Sequence, residues 1–372
     1  MPPVMGSVAF VMASFMNVPY SQIMVAALVP AVLFYLILLV QTDCYAAREG
    51  LRGLPEDQIP AIWPVLRSGW MFLLSLGALV FMLLVQNIES KAPFYVTLFL
   101  VATALLLKYR RKPLVPIINL VMSSGQSIGT LVGVLAGVGM VVGALSMTGV
   151  GNAFSRELLQ YAGSNVYLLL LLGALTSFVL GMGMTVSACY IFLAVVLAPA
   201  MVRGGFNEMA SHLFILYWAM LSYITPPVAM AAVAAATIGK APAMSVGLTA
   251  MRLGSVLFIL PFIFVLNPEL ILQRDLINSL LSVATAVLAV VMLAAALERY
   301  LYFLSRPARL WEVMVLVAGS FSLLVPGHNT DFLGLMALGL VYGIGFLNRR
   351  HGDTEGPKEV AGAEQIAAGD GR

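Results

Sequence analysis

Two short stretches interrupt apolar runs with residues that could hold an ion. The first is Gly181-Met182-Gly183-Met184-Thr185-Val186-Ser187, which follows the leucine run 168–172 and precedes an apolar return to Pro199 and Gly204-Gly205. The second is Thr225-Pro226-Pro227-Val228, set between helical patterns at 218–224 and 229–237. Two prolines remove two amide donors and free carbonyls one turn earlier. Those carbonyls and the Thr225 hydroxyl are hard oxygen ligands of the kind a sodium ion takes. The N-terminus of the half-helix beginning near Val228 favours an anion. A structural reading stands beside each: the glycines could let one continuous helix pack closely on a neighbour, and the prolines could mark a plain kink.

The elements that would position these residues follow from composition. The chain has 372 residues, of which 61% are hydrophobic and 10% charged, with a mean hydropathy of +0.97. A soluble domain carries about 25% charged residues. The apolar residues form blocks at 22–41, 69–86, 93–108, 128–147, 164–203, 207–239, 243–266, 273–297, 312–325 and 332–348. About 20 residues of helix cross the hydrocarbon core, so the expected fold is an all-α polytopic membrane bundle within the lipid bilayer. The net charge of +3 leaves no basic surface for nucleic acid. Cys44 and Cys189 lie far apart and suggest neither a disulfide framework nor a metal motif.

Basic clusters orient the spans. Lys108, Arg110, Arg111 and Lys112 form one, Arg299, Arg306 and Arg309 a second, and Arg349 and Arg350 a third; all should face the cytoplasm. They do so together only if 164–203 enters and leaves the membrane on its outer side, as a re-entrant hairpin with Gly181–Ser187 at its tip. Non-helical backbone at that depth is tolerated where it is buried in protein or lines a wet cavity. The segment 148–163 is then expected outside, 42–68 as a cytoplasmic connector, and 349–372 as a disordered cytoplasmic tail.

An internal repeat supports a functional break. At an offset of 224, Pro2, Pro3 and Val4 match Pro226, Pro227 and Val228. Ser21 and Ala26 match Ser245 and Ala250, and Val32, Leu33, Phe34 and Leu36 match Val256, Leu257, Phe258 and Leu260. Chance pairing of chains this apolar gives about three or four identities over that length; nine occur. With one copy running outward and the other inward, this predicts an inverted-topology repeat, in which discontinuous helices meet near the midplane.

The stretches MPPVMG at 1–6, GMGMTVSACYIFLAVVLAPAMV at 181–202 and ITPPVAMAA at 224–232 resemble the large membrane subunit of tripartite ATP-independent periplasmic (TRAP) transporters. The resemblance is nearest to the fused permeases that work with TAXI-type binding proteins. It covers 1–266, and 267–348 looks like their extra C-terminal membrane segment. It implies a sodium-coupled secondary transporter in the bacterial inner membrane, importing small organic anions delivered by a periplasmic binding protein through an elevator-like movement. No cofactor beyond the coupling ion is implied. Carried over by position, the second-half sodium site would be Gly181, Gly183, Thr185 and Ser187 facing Thr225, Pro226 and Pro227, with Pro2, Pro3 and Gly6 as the first-repeat counterpart. Family tips often read Pro-Thr-Thr after the glycines; Thr185-Val186-Ser187 lacks one of those hydroxyl positions.

The first repeat, at 1–41, begins at its proline motif, whereas hairpin and helix precede the second copy within 69–266. The expectation is a C-terminal portion that works with a small membrane subunit or a missing N-terminal half. The alternative function is a membrane-embedded scaffold or enzyme subunit, but no catalytic set appears in the spans. His212, His328 and His351 are scattered. Arg252, inside a span, could meet a substrate carboxylate or snorkel to the interface.

Overall fold

The computed structural model describes residues 2, 5–51, 53–55, 58–86, 88, 91–107, 114–163 and 165–352, and leaves the side chains of 107, 114–116, 276 and 348–352 undescribed. The basic run 108–112, Pro3, Val4, the Arg349 and Arg350 side chains and the tail beyond 352 thus lie outside the described residues.

The fold is all-α. In chain order the helices are α1 (Ser7–Met16), α2 (Tyr20–Arg48), α3 (Ile62–Leu84), α4 (Ala92–Leu107), α5 (Leu114–Thr148), α6 (Val150–Ala162), α7 (Val166–Gly181) and α8 (Val186–Val196). They continue with α9 (Ala198–Arg203), α10 (Glu208–Leu221), α11 (Met230–Gly239), α12 (Ala243–Leu253), α13 (Val256–Leu266), α14 (Leu276–Glu298), α15 (Leu310–Leu324) and α16 (His328–Gly352). Among the described residues, six helical segments are long and apolar enough to cross a membrane.

Three departures from the sequence pattern have local causes. Residues 150–162, between two apolar blocks, form the amphipathic α6, which buries Gly151, Ser155, Leu158 and Ala162. The block 243–266 is two helices, because Leu257 and Phe258 bond back three residues to Gly254 and Ser255 and tighten the backbone there. The return arm of 164–203 also breaks, between α8 and α9. Pro199 has no amide to give, and the Ala200 amide turns to the Leu197 carbonyl at 3.0 Å. The Val196 carbonyl is left to accept from the Ser155 hydroxyl at 2.7 Å, which ties α6 to the break.

The repeat is visible in backbone geometry, at a shifted register. Asn17 and Lys240 both end their helices in the left-handed conformation (φ 52° and 50°), and Pro19 and Pro242 both precede the next helix. These pairs are offset by 223, not 224. The first copy has one residue more after its prolines, and the second regains it at the Gly254-Ser255 break, so a fixed offset misaligns the middle of the repeat.

Centrally, α10 is apolar on all sides and buries nearly every residue, as a helix surrounded by others must. Trp218 on it meets Phe178, Phe214, Phe258 and Phe262 with ring centroids 5.6–6.3 Å apart. Beyond residue 267, α14, α15 and α16 pack side by side, and α14 lies along α2.

A short antiparallel ribbon pairs Tyr300 with Pro307 and Leu301 with Arg306 before α15. It is fastened by Glu312, which accepts from Arg306 Nη1 and Nη2 at 3.0 and 2.6 Å and from the Arg309 amide at 2.7 Å. Charge-assisted bonds of this kind contribute about 1.5–3 kcal/mol each. Glu312→Gln keeps the shape but loses the charge, and should lower the detergent unfolding midpoint by several degrees; an unchanged midpoint would show the ribbon to be held by packing alone.

Candidate functional site

The Gly181–Ser187 stretch is a turn between two helices. α7 ends at Gly181 because the Met182 and Gly183 amides bond back to the last turn of that helix. Thr185 then starts α8 as its N-cap, its hydroxyl accepting from the Ala188 amide at 3.3 Å, the standard way to satisfy an orphan amide of the first turn. Among the described residues no amide donates to the carbonyls of Met182, Gly183 or Met184. The tip therefore presents a row of free oxygens.

The Thr225–Val228 stretch breaks its helix as the prolines require. Pro226-Pro227 is a cis peptide, and α11 restarts at Met230. The Tyr223 carbonyl, deprived of its normal donor by Pro227, accepts from the Ala231 amide at 3.0 Å across the gap. The Ser222 and Ile224 carbonyls have no amide donor among the described residues. The Thr225 hydroxyl donates to the Leu221 carbonyl at 2.7 Å, leaving its oxygen lone pairs available. Pro226 packs against Gly247 of α12, and Pro227 is exposed.

Tip and break touch, but through residues the motifs did not single out. The Ser222 hydroxyl shares its one proton between the Gly181 and Ala219 carbonyls, each at 2.9 Å, and the Val186 amide donates to the Tyr223 hydroxyl at 3.4 Å. Gly181 permits this approach: a Cβ there would lie 2.7 Å from the Ala219 carbonyl oxygen and 3.2 Å from its Cα. Gly183, by contrast, has open space around it. A hydroxyl just before a proline break was the available signal for Ser222, easily passed over because serine is common in membrane helices.

Thr185 and Ser187 line a cavity of about 520 Å³. Ser7 at the start of α1 opens on the same cavity, next to Gly6, whose φ of 79° turns the chain into that helix. Pro2 is buried. The opposite wall is a polar stripe on α5, Ser123, Gln126, Ser127 and Thr130, whose spacing puts all four on one helix face. Among the described residues no charged side chain lines the cavity. Two helix N-termini, those of α1 and α8, therefore begin at one hydroxyl-lined space.

Other conspicuous side chains are placed elsewhere. His212 is buried on α10 and shares a 2.8 Å hydrogen bond with the Tyr190 hydroxyl. Arg252 pairs with Glu298. Cys44 and Cys189 are buried and free.

Residues 1–278 match the family described as tripartite ATP-independent periplasmic transporter, DctM component. No curated protein and no solved structure matches the chain. The match spans well over half the sequence and contains both proline motifs, the hairpin and the cavity, so the chain belongs to the DctM family: it is a multi-pass membrane permease, the large component of a TRAP-type transporter.

Proposed function

We propose that this permease imports small organic anions, carboxylates above all, across the bacterial inner membrane, driven by sodium. The observation that carries the reading is the convergence of the α1 and α8 N-termini on a cavity whose polar lining, among the described residues, is hydroxyls and one amide with no carboxylate. Each terminus presents roughly half a positive charge, which suits a carboxylate that must also leave again. The cavity volume is within the usual range for small-ligand sites, ~300–1,000 Å³.

The coupling ion is assigned to the meeting of tip and break. Free carbonyls around Gly183 and at Ser222 and Ile224 supply uncharged oxygens, with the lone pairs of Thr225 beside them and Thr185 and Ser187 linking that region to the cavity. Oxygens without a carboxylate favour a monovalent cation that binds and releases. Gly181, Pro226 and Pro227 shape the site more than they ligate it, since the Gly181 carbonyl is already engaged by Ser222. Pro2 and Gly6 are the corresponding positions of the first repeat, inverted in the membrane relative to the second. Family membership implies a periplasmic binding protein and a small membrane subunit; we assign the former to the TAXI type.

The test is uptake of a panel of radiolabelled small carboxylates into proteoliposomes holding the full transporter and its binding protein. Ser187→Ala and Thr225→Ala should each raise the sodium concentration for half-maximal uptake by roughly three- to tenfold, about 1 kcal/mol per lost ligand or orienting bond. Sodium dependence unchanged in both variants removes the ion assignment. Uptake that ignores the sodium gradient removes the coupling.

A further inference from the structure

Where α2, α12 and α14 converge, Glu298 is completely buried. Its carboxylate lies 3.5 Å from Arg48 Nη1 and 3.6 Å from Arg252 Nε. Both guanidiniums lie over the Tyr45 ring, at 5.2 and 5.6 Å from its centroid. The three charged groups come from different parts of the chain: Arg48 ends α2, Arg252 is near the end of α12, and Glu298 lies beyond the segment that matches the family.

The two arginines are held unequally. Arg48 donates to the Glu298 backbone carbonyl at 3.0 Å and to Glu49 through Nε and Nη2 at 3.2 and 3.1 Å, besides its ion pair. Beyond the Tyr45 ring, the Arg252 side chain has one long contact, the 3.6 Å pair with Glu298, and its backbone carbonyl accepts a long bond from Gln41 of α2 at 3.4 Å. Its Nε and both Glu298 carboxylate oxygens are buried without a hydrogen-bond partner among the described residues. The helices differ in the same way. α2 and α14 pack along their lengths, whereas the main neighbour of α12 is α11. Between α12 and α2 lies an open groove of about 760 Å³ bounded by Tyr45, Arg48, Ser245 and Thr249. One side of Glu298 is a fixed joint, the other a contact that can let go. Stripping a buried carboxylate of its partners is costly, but here Arg48 stays when Arg252 leaves, so release orphans no charge.

We propose that Glu298 is a positioning residue for the transport cycle, latching the α11–α12 arm to the α2–α14 pair through Arg252. The C-terminal helices thereby set the resting position of an arm that continues directly from the proline break. This rests on the transport reading above, because the arm matters only if the break moves.

Spin labels at Met244→Cys on α12 and Leu310→Cys on α15, both exposed, report the arm's distance from the C-terminal helices by double electron–electron resonance on the full chain in nanodiscs. The expected result is one main distance in the parent, and a roughly fivefold gain of a second, longer distance in Arg252→Ala, the ratio that loss of about 1 kcal/mol produces. Arg252→Lys should restore most of the parent distribution. Glu298→Gln should give the same gain, with no further change when combined with Arg252→Ala. An unchanged distribution in Arg252→Ala overturns the latch. A gain in Arg252→Ala that is identical in sodium and choline chloride upholds the latch and counts instead against sodium coupling.

Discussion

Gly181→Val abolishes sodium-driven uptake, and Gly181→Ala reduces it at least tenfold, if the hairpin approaches α10 as closely as the geometry requires. The atom a new Cβ would meet is a backbone oxygen 2.7 Å away, and backbone on a buried helix cannot swing aside as a long side chain can. The tip must retreat by several tenths of an ångström, at about 1–3 kcal/mol for overpacking. The same retreat lengthens the 2.9 Å bond from Ser222 to the Gly181 carbonyl, a further ~0.5–1.5 kcal/mol. It also separates the two sets of free carbonyls assigned to the ion, and small displacements at such sites have large functional cost. Gly183→Ala is the internal control, since nothing lies within 4 Å of its Cβ position. Sodium titration of uptake, with unfolding in detergent alongside, decides the matter: equal effects of the two alanine variants would sink the close-approach argument.

Phe214→Ala should produce a large loss of stability. The side chain is fully buried and meets Phe262 edge-on at 5.5 Å and Trp218 at 6.3 Å, while Gly173 of α7 approaches its ring. In water-soluble proteins such a truncation costs about 3–5 kcal/mol. In lipid the transfer part fades, because acyl chains are as apolar as the core, but the lost packing remains; about 3 kcal/mol is expected. α10 carries the break at its end and holds the hairpin on its side, so the loss should appear as a lowered unfolding midpoint with sodium affinity preserved in the fraction still folded. Phe214→Leu should recover more than half of the loss. A variant with parent stability but weakened sodium response would move Phe214 from scaffold to site.

Much of this molecule is legible in its sequence. Apolar blocks long enough to span a bilayer report themselves through composition, because lipid penalises every charge and every unpaired amide in the same direction. The prolines at 226 and 227 and the glycines at 181 and 183 announced breaks for a similar reason: they limit what the backbone can do regardless of surroundings. The repeat was visible at its two ends, where prolines and a Val-Leu-Phe run are shared, and blurred in the middle, where helix starts are displaced by one residue.

What contact decides was not legible. Glycine at 181 and glycine at 183 look alike in sequence, yet one is pressed on Ala219 and the other stands free. Ser222 gave no signal beyond its type, and its role depends on a carbonyl 41 residues earlier in the chain. Arg252 suggested a substrate ligand or a snorkelling side chain because intramembrane charge is costly; its partner, Glu298, sits at the end of another helix, and no local pattern brings the two together. The stripe Ser123, Gln126, Ser127 and Thr130 was present in the sequence but blended with the glycines around it until Thr185, Ser187 and Ser7 appeared across the cavity. Local backbone limits and the bilayer's solvent demands act on each residue where it stands, so the chain order carries them. Pairing across the bundle depends on which helix faces come to lie together, and only the packed tertiary structure selects those.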